Sequence, residues 1–338
     1  MIETTILAFE SSPLTSVALP ADILNAAGTL WNSMNGLEPK PAFRVRIVTP
    51  DGKPVQGHGT IPIIPHESLE NIDATDVLIV SGIGDLRKVP GKSDMAAEKL
   101  RQLHARGSLL ASICSGAFVL AATGLLDGKE ATTHWGMARL FAEKYPRVRL
   151  KTRQILTEED NLLCSGGTTA GADLALALIR KFCGEEEAVR CARVLLLDPN
   201  RSTQSPYEQL PVMYDHGDPE IAEVQRWISS NYRQAVTVER LADIGRMSRR
   251  TFERRFKKAT GHSPLQYLQR VRVESARQLL ETTSHSFEEI TGHVGYEDTS
   301  SFRRIFYKEM GLPPSVYREK FGRRGQVGPD FFTGTMDR

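Results

Sequence analysis

Two sets of side chains in this 338-residue sequence could do chemistry, and the first is basic and repeated. When "SRRTFERRFKKATGHSPLQYL" (248–268) is set above "DTSSFRRIFYKEMGLPPSVYR" (298–318), an offset of fifty pairs Phe252 with Phe302, Arg254 with Arg304, Phe256 with Phe306 and Lys258 with Lys308. Gly261 with Gly311, Pro264 with Pro314 and Tyr267 with Tyr317 follow. Phenylalanines four apart bury one face of a helix. That leaves Arg249, Arg250, Glu253 and Arg254 outward in the first copy, and Thr299, Ser300, Arg303 and Arg304 in the second. A guanidinium grips guanine with two hydrogen bonds or clamps a phosphate, and small hydroxyl residues near a helix start allow close approach to base edges. Lys257, Lys258 and Lys308 suit phosphates. A solvated helix face would account for any one of these arginines, but it accounts poorly for the duplicated arrangement.

The second set centres on a thiol. "GSLLASICSGAFVLAATGLLDGKEATTHW" (107–135) reads as a buried strand ending at Cys114, a turn of small residues, then a helix. Such an elbow holds the cysteine exposed at a helix N-terminus, where the dipole and free amides would stabilise a thiolate. His134 follows twenty residues on, and a cysteine with a distant histidine is the usual thiol-nucleophile pairing. The same residues also make a pocket. Amides at Ser115, Gly116, Ile83 and Gly84 would receive a carboxylate or carbonyl, and Trp135 beside His134 would pack or face a quaternary ammonium. The ligand pocket is the preferred reading, and a thiol-dependent hydrolase or hydratase using Cys114 is the rival.

Each set needs elements to position it. Upstream of the basic helices, "VERLADIGRMS" (238–248) and "FEEITGHVGYED" (287–298) each predict a short helix, a turn and the start of another helix. Leu241 and Ile290 face the core, Gly245 or Gly295 supplies the turn, and Ser248 and Asp298 cap the following helices. A helix over 263–282, with Leu265, Leu268, Val271, Ala276, Leu279 and Leu280 inward, fixes the spacing of the two units. Two recognition helices on one rigid body enter successive major-groove segments, about 34 Å apart.

The thiol belongs to a different architecture. Residues 4–9, 43–50, 76–82, 108–114 and 154–167 read as strands or a hairpin, and 21–34, 94–107, 116–124, 134–145 and 169–182 have helical spacing between them. The alternation predicts a flavodoxin-like α/β sandwich with a mostly parallel sheet, followed by an all-α double helix-turn-helix domain. The predicted boundaries are 1–205 for the α/β domain, 206–219 for a proline-bearing linker, 220–324 for the DNA-binding domain and 325–338 for a loose tail.

Charge follows the same division. Net charge is only +2, yet residues 220–324 carry +7 and residues 1–219 carry −4, so one part is built to meet phosphates and the other is not. The four cysteines show no C-x-x-C spacing, and His58, His66 and His104 share no ligand spacing, so no metal and no cofactor are expected. With no secretory h-region and no apolar run of about 18 residues, the expectation is a cytoplasmic protein with reduced thiols and no membrane partner.

The C-terminal segment strongly resembles the AraC/XylS family, whose second-unit signature stands here as "GYEDTSSFRRIFYKEMGLPP", with the resemblance covering about 220–322. Residues 4–195 resemble the class I glutamine amidotransferase-like superfamily, in the branch of intracellular proteases and isonitrile hydratases, through the elbow at Cys114, "VSGIGD" (80–85) and "CSGGTTAGADLALALI" (164–179). Two features depart from that branch: Ser115 follows the cysteine where histidine is common, and the acid that poises the thiol there has no evident match around "SVALPADIL" (16–24). The combined resemblance implies a homodimeric bacterial activator that is not an enzyme. It would bind double-stranded promoter half-sites at the nucleoid, act on RNA polymerase, and answer to a small amino-acid or amine-derived effector.

Overall fold

Consecutive apolar residues on a strand point to opposite faces, so a strand buried on both sides reads as an unbroken apolar run. The computed structural model describes residues 1–208 and 216–323, in two compact units, Met1–Gln204 and Ser205–Arg338. The middle of the predicted linker and the predicted tail at 325–338 lie outside the described residues.

In chain order the first unit runs β1 (Ile2–Leu7), α1 (Thr15–Ala26), α2 (Leu30–Met34), β2 (Phe43–Thr49), β3 (Val55–Gln56), β4 (Pro62–Ile63), β5 (Glu67–Ser68), β6 (Val77–Val80), α3 (Met95–Ala105), β7 (Leu109–Ile113) and α4 (Gly116–Ala122). It continues with β8 (Glu130–Ala131), α5 (Ala138–Lys144), β9 (Arg149–Leu150), β10 (Leu156–Glu159), β11 (Leu162–Ser165), α6 (Ala170–Cys183) and α7 (Glu185–Val194). Seven strands form one sheet in the order β10-β11-β7-β6-β1-β2-β5, parallel throughout except where β10 folds back on β11. Ile6, Ile79 and Ile113 pack on one face with Leu24 of α1 and Leu174 of α6, while Leu7, Leu78 and Val80 pack on the other with Leu100 of α3 and Phe118 of α4. This is the mostly parallel, flavodoxin-like sandwich, and its apolar runs are continuous because both faces are covered.

One local expectation fails in the first unit. The single helix predicted over 21–34 begins six residues earlier, with Pro20 inside it, and is cut in two. The cut falls where the Ala27 and Gly28 carbonyls accept from Ala42 N (3.2 Å) and Lys40 N (2.7 Å), so tertiary backbone pairing replaces the helical ladder. Helix α7 was not predicted.

The second unit is helical: α8 (Pro219–Asn231), α9 (Val238–Ile244), α10 (Arg249–Thr260), α11 (Pro264–Thr282), α12 (Phe287–His293), α13 (Thr299–Met310) and α14 (Pro314–Phe321). Ile221, Leu241, Phe252, Phe256, Tyr267 and Leu268 make one core, and Val273, Ala276, Leu280, Ile290, Phe302, Phe306 and Tyr317 make another. The 19-residue α11 belongs to both, which places the two helix-turn-helix units on one rod about 28 Å long. Its start is held by a reciprocal cap between Ser263 and Gln266. Leu265, expected inward, is 51% exposed. The inward set at that end is Pro264, Tyr267 and Leu268, and Leu265 lies about 100° round the helix from Pro264.

The repeat also carries a slip in register. Recognition helices α10 and α13 match at an offset of fifty, but the helices before them match at forty-nine: Met247 N donates to Ala242 O (3.0 Å) as Tyr296 N donates to Thr291 O (3.1 Å). The residue equivalent to Gly295 is therefore Arg246, and it is Arg246, not Gly245, that takes the left-handed turn (φ +52°, against −75° at Gly245). Gly295 has φ +83°, and an added β-carbon there would sit 2.4 Å from the Arg233 carbonyl oxygen. Gly295→Ala should therefore destabilise the chain by about 1–3 kcal/mol in urea unfolding, whereas Arg246→Gly should leave stability unchanged or slightly raised. Equal stability of Gly295→Ala and the parent would contradict this turn geometry.

Candidate functional site

At 100° per residue, the face opposite Phe252 and Phe256 belongs to positions 250, 254, 257 and 258. Arg250, Arg254, Lys257 and Lys258 are all exposed there, and Ser300, Arg304, Tyr307 and Lys308 occupy the same register on α13, also exposed. Position 304 is steadied by an Arg304 N–H bond to Ser301 Oγ (3.1 Å). The flanking positions behave differently. Arg249 is ion-paired to Glu239 of α9 and to Glu253 (3.3 Å), so these two residues, expected on the open face, partly neutralise each other beside it. Arg303, aligned with Glu253, lies over the Phe287 ring at 5.7 Å, and Thr299 is half-buried.

Sequence reasoning missed Tyr307, 55% exposed and aligned with Lys257, because an aromatic on an amphipathic helix reads first as core. Other arginines of the basic segment are structural. Arg255 binds Asp218, the N-cap of α8, and Glu220, while Arg270 binds Glu208 (2.8 Å).

The second site lies where β7 meets α4. Cys114 sits at the junction with φ +56°, its amide bound to Ser165 O (3.1 Å) and its carbonyl accepting from Thr133 Oγ1 (2.8 Å). Gly116 lies so close to the end of β6 that an added β-carbon would sit 2.5 Å from the Val80 carbonyl oxygen. The strand–turn–helix elbow is therefore present, but the exposed thiolate is not. Cys114 is only 5% exposed, and burial pushes its thiol above the ordinary range against hydrogen bonds from Thr168 and Ser115. Helix α4 has seven residues, too few for a strong dipole.

The expected row of ligand-binding amides is shorter than predicted. Ser115 Oγ donates to Ile83 O and accepts from Ile83 N, both at 2.9 Å, so the Ile83 amide is spoken for. Gly84 packs against the Ser11 backbone. On α1 the residue facing this turn is Ser16, whose Oγ accepts from Gly82 N (3.1 Å) and donates to Pro13 O (2.6 Å). A hydroxyl stands at this point of 16–24, with no acid to poise the thiol.

His134 is half-buried, and burial lowers its pKa, which keeps the ring neutral at pH 7. Its Nδ1 accepts from Gly136 N (3.0 Å), which assigns the ring proton to Nε2. The Trp135 ring lies 5.2 Å from the imidazole, tilted by 32°. Gly167 abuts His134, and Thr168, the next residue, reaches Cys114. Thr168 thus joins the two halves of the site. The sequence signal for it is the "GGTTAG" stretch ahead of α6. The arrangement offers a neutral thiol, the Thr168 hydroxyl and an imidazole N–H donor. It offers no base aimed at the thiol proton, since His134 Nδ1 is committed to the backbone and Nε2 is already protonated.

Among the described residues no group of three or more His, Cys, Asp or Glu is placed to hold a metal ion, and no helix is long and apolar enough to cross a membrane.

An elbow-bearing α/β unit joined to paired helix-turn-helix units with basic faces is the architecture of a DNA-binding regulator. The DJ-1/PfpI family profile matches residues 8–181 and a helix-turn-helix domain profile matches 241–320; the chain belongs to the DJ-1/PfpI family and carries an AraC-type helix-turn-helix domain. It is 29% identical over 288 residues to the HTH-type transcriptional regulator GbdR of Pseudomonas aeruginosa, covering 84% of this chain and 77% of the relative. Over 151 residues it is 32% identical to an isonitrile hydratase of Pseudomonas putida, covering 44% of this chain and 63% of the relative. Drosophila melanogaster DJ-1beta shares the fold, with a TM-score of 0.50 and 22% identity over 58% of this chain and 98% of that one.

The buried thiol has a direct readout. Iodoacetamide should alkylate Cys114 of the native chain at pH 7 far more slowly than Cys114 of the urea-unfolded chain, with the native rate rising as pH is raised. Native labelling as fast as unfolded labelling would mean that the thiolate is stabilised after all.

Proposed function

We propose that this chain is an effector-responsive transcription regulator whose α10 and α13 read DNA and whose Cys114–His134 site binds a small molecule without transforming it. The observation that carries the DNA half is the coincidence in register of two exposed cationic faces on one α11 rod. Arg250, Arg254 and Arg304 are the base-reading candidates. Thr299 and Ser300 permit close approach, and Lys257, Lys258, Lys308 and Arg303 serve phosphates. Arg249 is engaged by Glu239 and Glu253.

What supports a non-catalytic site is the protonation pattern: a neutral buried thiol linked, through Gly167 and Thr168, to an imidazole whose free nitrogen is a donor. That pattern recognises rather than attacks. His134 Nε2–H, the Thr168 hydroxyl and the amides at Ser115 and Gly116 suit a carboxylate or carbonyl oxygen, and Trp135 offers a face for an amine or quaternary ammonium. The effector class is accordingly a small amino-acid or amine-derived metabolite. Homodimerisation on promoter half-sites and activation through RNA polymerase rest on the AraC/XylS resemblance. The partial likeness to an isonitrile hydratase keeps a thiol-dependent hydratase as the second reading, and turnover abolished by Cys114→Ala would establish it.

Two experiments test the halves separately. In fluorescence anisotropy on the selected operator, Arg250→Ala and Arg304→Ala should each cost about 1–3 kcal/mol of specific binding, and Arg249→Ala should cost less; a reversed order would remove this face from the interface. In a thermal-shift and calorimetry screen of amino acids and betaines, His134→Gln, which keeps an N–H near the Nε2 position, should retain binding. His134→Asn, which keeps the Gly136 cap but not the reach, should weaken binding roughly tenfold, as loss of a hydrogen bond to a charged group does. Equal binding by both variants would exclude the Nε2–H contact.

A further inference from the structure

We infer that Gln204 is the positioning residue that fastens the His134 wall of this site to the chain as it leaves the α/β unit, and that effector binding is transmitted through it. The transmission part rests on the reading of the Cys114–His134 site as an effector pocket.

Gln204 is a polar side chain only 4% exposed. Its carboxamide Nε2 donates to Thr133 O (2.8 Å) and lies within reach of Thr132 Oγ1 (3.2 Å) and Gln154 O (3.3 Å), while its Oε1 accepts from Trp135 N (3.2 Å). Thr133 and Trp135 are the two neighbours of His134, so one side chain grips the loop on both sides of the imidazole. The slot it fills exists because residue 166 has no side chain: a β-carbon on Gly166 would stand 2.9 Å from both carboxamide heteroatoms. A carboxamide suits the slot because it presents a donor and an acceptor together without a charge to desolvate.

The same short stretch is also tied to the other wall. Arg201 forms a two-nitrogen ion pair with Asp173 of α6, Nε lying 3.2 and 3.1 Å from the two carboxylate oxygens. Asp173 is in the first turn of the helix that follows Thr168. Residues 201–204 therefore hold both α6 and the His134 loop, and Gln204 is the last residue of the first unit. An effector that draws His134 or Thr168 towards itself must alter the grip on 201–204. By reciprocity, a change in the path of the chain after Gln204 alters the pocket.

The test uses the full chain. Gln204→Met keeps the volume and removes every side-chain hydrogen bond. Hydrogen exchange should then quicken by tenfold or more in the peptide containing Trp135, with exchange in α1 and α11 unchanged. Gly166→Ala, which leaves Gln204 in place and crowds its carboxamide, should loosen the same peptide and serves if Gln204→Met does not fold. Unchanged exchange at Trp135 in a folded variant overturns the inference. For transmission, operator affinity is measured with and without glycine betaine and with and without L-arginine. A wild-type response to either probe should fall towards none in the loosened variant, and a full response there overturns the transmission part. Wild-type indifference to both probes tells against the effector reading, while the exchange result still decides what Gln204 does.

Discussion

The first unit's site depends on one strained residue. Cys114 holds a left-handed backbone that costs a non-glycine residue about 1–2 kcal/mol, and it is held there by bonds from two directions, its amide to Ser165 and its carbonyl from Thr133. Those bonds join the end of β7 to the end of β11 and to the loop that carries His134. The strained turn is thus braced by three segments, and the thiol they enclose is shut away from water. A dry thiol facing hydroxyls stays protonated. The elbow's geometry is present, and the burial that raises its thiol's pKa follows from the way the elbow is braced.

Much of this was legible in the sequence, for a physical reason in each case. Strands buried on both faces leave continuous apolar runs, and the recognition helices leave phenylalanines at four-residue spacing; both are local signals. What failed depended on residues far apart in the chain. The Ile83 amide looks available until Ser115, 32 residues on, folds its hydroxyl onto it. Arg249 looks like a DNA contact until Glu239 of the preceding helix is placed beside it. The predicted helix over 21–34 is interrupted by backbone pairing with residues 40 and 42, which no periodicity reveals. The register slip between the two turns was hidden by a persuasive alignment: fifty is right for α10 and α13 and wrong for α9 and α12, and only the hydrogen bonds across the turns separate the two offsets.

In the second unit charge alone is a poor guide to the interface. The +7 excess of residues 220–324 includes Arg255 and Arg270, whose guanidinium groups are spent on Asp218, Glu220 and Glu208, where they hold the start of α8 and the segment before it. Arg250, Arg254, Lys257 and Lys258 differ from them in position round the helix, opposite the phenylalanine stripe. Because α11 contributes to both cores, the two cationic faces cannot rotate independently without exposing Tyr267 and Leu268 at one end or Val273 and Leu280 at the other. Removing such side chains from a core costs several kcal/mol, more than the 1–3 kcal/mol typical of coupling between sites. A regulator of this build therefore gains little by changing the distance between its own two recognition helices.

On the proposed effector reading, the control step lies outside that pair of helices, in the disposition or pairing of whole units, and an effector shifts such an equilibrium only through unequal affinity for its states. In the proposed effector site, neutral groups would supply this inequality through geometry. Burial holds the Cys114 thiol above its ordinary range and lowers the His134 pKa, so on that reading binding would discriminate between states by whether the imidazole N–H, the Thr168 hydroxyl and the elbow amides converge on one oxygen-bearing group. Convergence of that kind is sensitive to displacements of well under an ångström, because hydrogen bonds weaken steeply with distance and angle. The segment best placed to impose such displacements is the one bonded to both walls, residues 201–204, which continues without interruption into the second unit.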